Sequence, residues 1–392
     1  MLITLSFRKN LIYLFLSSIF FFLRRILAII LSSIYGLDNS LIFCLLVFLG
    51  ESIAGLIIYH KQSSFLDKNL NERKIEHQLS KQNIEMKRAD NIPKIIILIF
   101  FASFFDFNEF IILYNFIPKI ARLSVTSTLR LCSTTTITSS LICILTLNYK
   151  IGKHQIFSLI ILGIFLSAII TMEFIFKPKD INIENYLISY LLVFCHFIFV
   201  SFTDIVEKYL FEYNFLNPFL ILMSEGIFGF ILASFYSIFN NPFREIINIY
   251  NEFESWKFIL LIVFLILYSI FSLGLNMYKI LSNIYYSPMT KSLAAYLLNY
   301  IFIIYFFISE KDFMTEGKKN YLYFIVNLVL SVLIDFIALI YIEIIIFKFC
   351  GLDKDTHEII SYRATTKEIE LTNNRFEDDD YFVIDDEKEN VE

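Results

Sequence analysis

The stretch Pro218–Phe239, PFLILMSEGIFGFILASFYSIF, decides the fold class of this chain. It has one charged residue, Glu225, and about the twenty predominantly apolar residues that an α-helix needs to cross a bilayer. Gly226 and Gly229 follow the carboxylate at a spacing that lets a neighbouring helix approach closely. The stretch therefore predicts a transmembrane helix whose carboxylate faces another helix or a cavity rather than lipid.

Similar apolar runs recur along the whole chain. Hydrophobic residues make up 57% of the 392 residues, and 18% are charged, whereas a soluble domain has about a quarter. Too few charges remain to cover a soluble protein, so lipid must cover much of the surface. The sequence predicts an all-α polytopic membrane protein with about ten transmembrane helices. The runs are 11–34, 41–59, 93–117, 124–147, 156–176, 186–204, 218–239, 258–280, 288–308 and 321–349.

The loops and termini predict the orientation. Eight Lys and Arg residues lie between positions 61 and 94, and basic loops face the cytosol. With an even number of helices, residues 1–10 and 352–392 are then cytosolic as well. The segment 352–392 has 14 acidic and 5 basic residues and few apolar ones, which predicts a disordered acidic tail. No basic surface for nucleic acid is indicated.

Motifs for catalysis or metal binding are not found in the sequence. There is no P-loop, no H-E-x-x-H and no G-x-S-x-G. The five cysteines are scattered without Cys/His spacing. Of the five histidines, His196 alone is expected to be buried in the membrane, as a hydrogen-bonded core residue. The sequence predicts no metal, no cofactor and no enzymatic activity.

Charged residues within the apolar runs are the candidates for function. A charge at bilayer depth costs several kcal/mol, so each such residue is a functional candidate by default. The alternative is that each lies near a helix end or forms a buried ion pair. The candidates are Glu51, Asp106, Glu109, Arg130, Glu173, Asp204, Glu207, Glu225, Lys279, Asp335 and Glu343.

Glu51 and Arg130 have particular settings. Glu51 follows Gly50 in the second run, as Glu225 precedes a glycine in the seventh. Arg130 opens a polar face in the Thr-rich stretch 126–140, whose hydroxyls we expect to face neighbouring helices. A guanidinium in such a face can bind a phosphate through two hydrogen bonds. The alternative is that Arg130 pairs with Asp106 or Glu109.

A second polar group lies around the junction of the eighth and ninth runs. Asn276 and Lys279 precede the junction, and Thr290 and Lys291 follow it. Pro288 breaks the chain there and can open a new helix. Lys291 would lie in the first turn, where the helix dipole disfavours a cation, which suggests an anionic ligand or a carboxylate neighbour. The alternative is an ordinary interfacial lysine.

Several segments, in order, resemble one family. The segment from Glu207-Lys208-Tyr209-Leu210 through Asn217-Pro218 to Glu225-Gly226-Ile227-Phe228-Gly229-Phe230 resembles the nucleotide-sugar-transporter-like part of the drug/metabolite transporter superfamily. It is most similar to an orphan solute-carrier branch, the F-type branch of family 35, with the pattern E-K-[YF]…P…E-G-x-F-G-F. Weaker similarities are Leu49-Gly50-Glu51, Asp106, Thr128-Leu129-Arg130, and Asn276 with Ser287 to Leu293. Leu131 and Lys291 depart from the family's usual Gly and Arg.

The resemblance implies two five-helix repeats of opposite topology, at 11–176 and 184–348. In such proteins the substrate binds between the repeats near the midplane, and rocking gives alternating access. Family members with known substrates exchange a nucleotide sugar for a nucleoside monophosphate in the Golgi or endoplasmic reticulum. The implied site comprises Glu51, Asp106, Arg130, Glu225, Asn276, Lys279, Thr290 and Lys291. Arg130, Lys279 and Lys291 would neutralise phosphate, and Glu51 and Glu225 would hold hydroxyls or act in gating.

The expected function is therefore secondary transport of a small, anionic, nucleotide-sugar-like solute across an endomembrane. A homodimer is compatible with the sequence. One alternative is a non-transporting membrane scaffold that acts through the basic loop 61–94 and the acidic tail. Another is an intramembrane transferase, for which the sequence offers no acid/base pair.

Overall fold

The computed structural model describes residues 6–37, 41–60, 92–112, 131–147, 151–176, 183–214, 216–240, 243–252, 254–285, 299–308, 314–315, 318–348, 351–352 and 356. Nearly all of these residues are helical. The helices are α1 (Ser6–Tyr35), α2 (Leu41–His60), α3 (Ile92–Ile111), α4 (Thr134–Leu147), α5 (Lys153–Ile175), α6 (Ile183–Tyr213), α7 (Pro218–Phe239), α8 (Phe243–Glu252), α9 (Ser255–Tyr285), α10 (Asn299–Ile308) and α11 (Tyr321–Tyr341). One short antiparallel pair joins β1 (Met314–Thr315) to β2 (Lys318–Lys319).

Seven helices in the described ranges are long and apolar enough to cross a membrane: α1, α2, α5, α6, α7, α9 and α11. The chain thus has the helices of a multi-pass membrane protein. Helix α4 is apolar but has only 14 residues, α10 has 10 described residues, and α3 contains Lys94, Asp106 and Glu109. The count of ten spans therefore stays a prediction.

Several helices end at other residues than the apolar runs indicate. Helix α6 continues to Tyr213, so Glu207 lies inside a helix rather than beyond its end. Helix α11 ends at Tyr341 instead of 349, and Glu343 follows with a left-handed φ of 65°. In the fourth run the helix begins at Thr134, after a turn at residues 131–133. Helix α8 and the β pair were not expected, because their segments are too polar or too short to form an apolar run.

The outer surface of the described helices is strongly apolar. Leu145 in α4, Ile238 and Phe239 in α7, and Leu191 in α6 are 80%, 74%, 72% and 62% exposed. Soluble monomers rarely expose contiguous apolar surface of this extent. The side chains are therefore arranged with apolar residues toward lipid and polar residues between helices.

The Thr-rich run follows this arrangement. Thr138 and Ser139 in α4 hydrogen-bond to Ser201 in α6, at 2.6 and 3.0 Å. All three side chains are buried. The expectation that these hydroxyls face a neighbouring helix is confirmed, and it explains why so polar a stretch lies inside the helical body.

Helix pairs define the interior. Helix α1 packs along α9, α3 packs against both α6 and α7, and α4 packs against α5 and α6. Helix α5 packs against α11, which also contacts α10. Helix α2 packs against α7 and α9, since Gly226 of α7 meets Ser52, and Gly50 of α2 meets Ser269. Helices from the first and second halves of the chain are therefore interleaved.

His154 corrects one expectation. It is 4% exposed, so His196 is not the only buried histidine in the described part of the chain. His154 lies in the first turn of α5, and its Nε2 is 3.1 Å from Glu343 Oε1. Glu343 accordingly pairs with a residue at a helix end rather than lying inside a span. The sequence gives no indication of this pair, because the two residues are far apart along the chain.

Asn217 provides a test of helix capping. Its side chain accepts a hydrogen bond from the backbone N–H of Phe219 at 2.9 Å, directly before Pro218 opens α7. We expect Asn217→Ala to lower the free energy of unfolding by about 1 kcal/mol, since an N-terminal N–H loses its acceptor. Asn217→Ser keeps an acceptor and is the control. The measurement is thermal unfolding of the purified protein in detergent, and equal midpoints for both variants would contradict the assignment.

Candidate functional site

Buried charges from several helices converge in the interior. Glu51, Asp204, Glu207 and Glu225 are each at most 6% exposed, and Arg24 and Arg25 are 8% and 5% exposed. Such charges remain buried only when they pair with each other or with a ligand. They line two adjoining cavities, which therefore form the candidate site.

The first cavity is acidic and very small. We call it the acidic cavity; it measures about 20 Å³. Four carboxylates face one ammonium in its wall, a formal charge of −3 if all are ionised. The wall comprises Glu51, Asp106, Thr203, Glu207, Leu222, Glu225, Asn276, Lys279 and Ile280.

The second cavity is larger and has arginines and aromatic rings in its wall. We call it the arginine cavity; it measures about 80 Å³. Arg24 and Arg25 of α1 line it, and both guanidinium groups lie within 6 Å of the Phe21 ring. Phe110 of α3 and Phe197 of α6 complete its apolar side. The cavity thus offers planar cationic donors next to aromatic faces.

The two cavities share part of one wall. Asp106 of α3 and Asn276 and Lys279 of α9 line both of them. Asn276 donates a hydrogen bond to the Glu51 carboxylate in the acidic cavity. Lys279 Nζ lies 3.4 Å from Asp204 Oδ1, which belongs to the arginine cavity. The two cavities are therefore neighbours across these three side chains.

Asn283 connects α6 to α9 next to the acidic cavity. Its side-chain N–H groups donate to the Glu207 carboxylate and to the backbone carbonyl of Asp204, both at 2.8 Å. Lys208 Nζ donates to the backbone carbonyl of Asn283 at 2.8 Å. These bonds hold Glu207 in place without using the ammonium of Lys279.

Glu225 has an unusual setting among these carboxylates. It is 6% exposed, and its Oε1 atom accepts no hydrogen bond from any described residue. A buried carboxylate oxygen without a donor is costly. Its neighbours across the cavity are Glu51, Asp106, Glu207 and Lys279. The oxygen is therefore a place where a proton or a donor from a ligand would be stabilised.

His196 closes the arginine cavity on α6. It is 5% exposed, and its Nδ1 lies 3.3 Å from the backbone carbonyl of Glu109. The expectation of a buried, hydrogen-bonded histidine is confirmed. Because a carbonyl only accepts, the proton of the bond is on Nδ1.

The predicted site residues fall into two groups. Glu51, Asp106, Glu225, Asn276 and Lys279 come together on the wall of the acidic cavity, although they lie on four different helices. Arg130, Thr290 and Lys291 lie outside the described residues. Whether any of these side chains binds a substrate stays a prediction.

Two residues of the site were missed in the sequence. Arg24 and Arg25 interrupt α1 near its centre, where a paired charge is itself a signal of an internal polar site. Both lie in the apolar run 11–34, but the candidate charges named from the sequence do not include them. In the structure α1 packs along α9 and so places them opposite Lys279.

Comparisons with known proteins add no further identification. No protein-family model matches this sequence. No curated protein matches it either. Among the described residues, no group of three or more His, Cys, Asp or Glu side chains could hold a metal ion. The family resemblance therefore rests on the sequence motifs alone.

Proposed function

We propose that this chain is a secondary transporter that binds a small anionic solute in the arginine cavity and moves it by alternating access. The observation that carries the proposal is the placement of Arg24, Arg25 and Lys279 around one cavity inside an otherwise apolar helical body. Guanidinium groups bind phosphates through paired hydrogen bonds. The substrate class we propose, following the motifs, is a nucleotide sugar exchanged for a nucleoside monophosphate in the Golgi or endoplasmic reticulum.

The aromatic rings support this substrate class. Phe21, Phe110 and Phe197 lie beside the arginines in the cavity wall. A nucleobase can stack on such a ring while the phosphate meets the guanidinium groups. The three acids of the same wall, Asp106, Glu109 and Asp204, offset the three cations, so an anion does not enter a strongly positive site. Because the charges of the wall are balanced, the solute would not be held too tightly to be released.

The helix contacts support two inverted repeats. If residues 11–176 and 184–348 are equivalent, then α1 to α5 correspond in order to α6, α7, α9, α10 and α11. A contact between two helices should then recur between the two helices that are equivalent to them. The pair α1 with α9 recurs as α6 with α3, and the pair α4 with α5 recurs as α10 with α11. The pair α3 with α7 recurs as α9 with α2, through Asn276 and Glu51.

The small volume of the arginine cavity supports a mechanism in which the surrounding helices move to admit the solute. Pockets for drug-sized ligands measure roughly 300–1,000 Å³, whereas the arginine cavity measures about 80 Å³. A nucleotide sugar would therefore bind only after the helices around the cavity, α1, α3, α6 and α9, move apart. Alternating access between two halves provides such a separation.

The first test is thermal unfolding of the purified full-length protein against nucleotide sugars, nucleoside mono- and triphosphates, and amino acids and amines. A ligand at about a hundred times its dissociation constant adds roughly 2.7 kcal/mol to the free energy of unfolding. We expect stabilisation by one base family of nucleotide sugars and by its monophosphate. Arg25→Gln should weaken this binding by at least roughly tenfold, the equivalent of about 1.4 kcal/mol.

Controls make the result specific. Arg244→Gln changes an exposed arginine on α8 and should leave the ligand response unchanged. Arg25→Lys keeps the charge but not the paired donors, and its response should be intermediate. Deletion of residues 352–392 should leave transport into proteoliposomes largely intact. No response to any nucleotide, together with loss of function on deleting the tail, would favour the scaffold alternative.

A further inference from the structure

The acidic cavity holds more negative charge than the described residues around it neutralise. Glu51 of α2, Asp106 of α3, Glu207 of α6 and Glu225 of α7 face Lys279 of α9. Lys279 also lies 3.4 Å from Asp204, whose side chain is 1% exposed. Over both cavities, the three cations Arg24, Arg25 and Lys279 face six carboxylates, and four of these, Glu51, Asp204, Glu207 and Glu225, are buried. Buried charges in such surplus require a further cation.

The hydrogen bonds distinguish Glu225 from its neighbours. Glu51 accepts from Asn276, and Glu207 accepts from Asn283. Glu225 is more than nine-tenths buried, lines the cavity, and has an Oε1 atom with no described donor. The missing cation is therefore needed most at this oxygen.

The size and geometry of the cavity select the kind of cation. A volume of about 20 Å³ has room for a water molecule but not for an organic ammonium group. A metal ion needs several oxygen ligands directed at one point. No group of three or more acidic, His or Cys side chains within the described ranges converges in that way. A proton needs only one carboxylate oxygen, so it fits what the cavity offers.

We infer that Glu225 is the proton-binding site that couples transport to a proton gradient, a role that rests on the proposed function. A proton binds the free carboxylate oxygen and gives a neutral acid. It leaves when the halves rearrange and open the cavity to the other side. No bond other than this O–H forms or breaks, so the step needs no further reactant.

The shared wall gives the sign of the coupling. Protonation of Glu225 removes one negative charge next to Asp106, Asn276 and Lys279, which also line the arginine cavity. The potential there becomes more positive, and an anion binds more tightly. Because linkage is reciprocal, the anion also tightens proton binding. Solute and proton are therefore carried together, and the affinity for the solute rises as the pH falls.

The first arm of the test needs no solute. Infrared difference spectra between alkaline and acidic pH are recorded for the full chain in phosphatidylcholine vesicles. We expect a carbonyl band of a protonated acid with few hydrogen bonds, absent from Glu225→Gln and present in Glu225→Asp. Glu252→Gln, which changes an exposed acid on α8, is the matched control and should keep the band. An unchanged band in Glu225→Gln would overturn the proton site.

The second arm measures uptake of nucleoside monophosphates into the same vesicles, preloaded with nucleotide sugars so that exchange can occur, with and without an imposed pH gradient. In the wild type, lowering the external pH should strengthen apparent binding by roughly 5- to 150-fold, the usual range for coupled sites. In Glu225→Gln the ratio of uptake with and without the gradient should fall to one. An unchanged ratio would overturn the proton coupling but not the proposed transport function. A carbonyl band that titrates at Glu225 without any nucleotide uptake would refute the proposed function and the coupling. It would still support Glu225 as a proton-binding site.

Discussion

Gly226→Ala is expected to destabilise this protein strongly. A methyl group built at Gly226 would lie 2.5 Å from the backbone nitrogen of Ser52 and 2.9 Å from Cβ of Glu51. A backbone atom cannot rotate away as a side chain can, so α2 and α7 would have to separate. Overpacking of a filled core costs typically 1–3 kcal/mol, and we expect a loss of about 3 kcal/mol here, at the upper end of that range.

A second glycine provides the matched control. Gly163 in α5 would place its added methyl 4.0 Å from Ile137 Cδ1, which is an ordinary contact. Gly163→Ala should therefore be neutral or stabilising, because alanine is the better helix former by up to about 1 kcal/mol. The measurement is the thermal unfolding midpoint in detergent together with the yield of monodisperse protein. A wild-type midpoint for Gly226→Ala would show that α2 and α7 do not meet as described.

Lys279→Met is expected to have the second large effect on stability. The substitution keeps most of the apolar stem but leaves Asp204, 1% exposed, among five further carboxylates of the two cavities without this ammonium. Removing one partner of a buried ion pair costs about 3–5 kcal/mol, since the other charge stays buried and uncompensated. Thermal unfolding of the single variant measures this loss.

A double variant and a surface lysine separate charge from packing. Asp204→Asn combined with Lys279→Met removes both charges and should recover part of the lost stability. Lys257→Met changes a half-exposed lysine whose Nζ is 4.0 Å from Glu254, and pairs of that kind contribute about 0–1 kcal/mol. If Lys279→Met were no less stable than Lys257→Met, the ammonium would not be the charge that holds the cavities together.

Both effects concern the same region of the molecule. Gly226 lets α7 approach α2 so closely that Glu51 and the neighbouring Glu225 enter one cavity. Lys279 reaches this cavity from α9 and connects it to the arginine cavity. The close helix crossing and the charge cluster are therefore parts of one arrangement. If the chain is a transporter, as we propose, this arrangement would couple a proton on one side of the shared wall to an anion on the other.

Part of this arrangement could be predicted from residue types alone. Glu51, Glu225 and Lys279 are predicted as candidate residues because charge is costly in lipid, and Asn276 because it lies with Lys279 before the junction at Pro288. The structure brings these four residues together with Asp106. The helix ends were predicted less well, since hydropathy falls gradually where α6 continues past Asp204 to Tyr213.

The sequence by itself determined that this is an all-helical multi-pass membrane chain, because apolar runs of bilayer length have no other stable form in lipid. It also determined most of the charged side chains that must be explained, because each buried charge carries a large desolvation cost. Only the tertiary structure decided which of them meet. Arg24, Arg25, Asp204 and Lys279 come from three separate helices. They meet because α9 packs against both α1 and α6. Helix pairing depends on the shapes of whole helix faces, which local residue patterns do not specify.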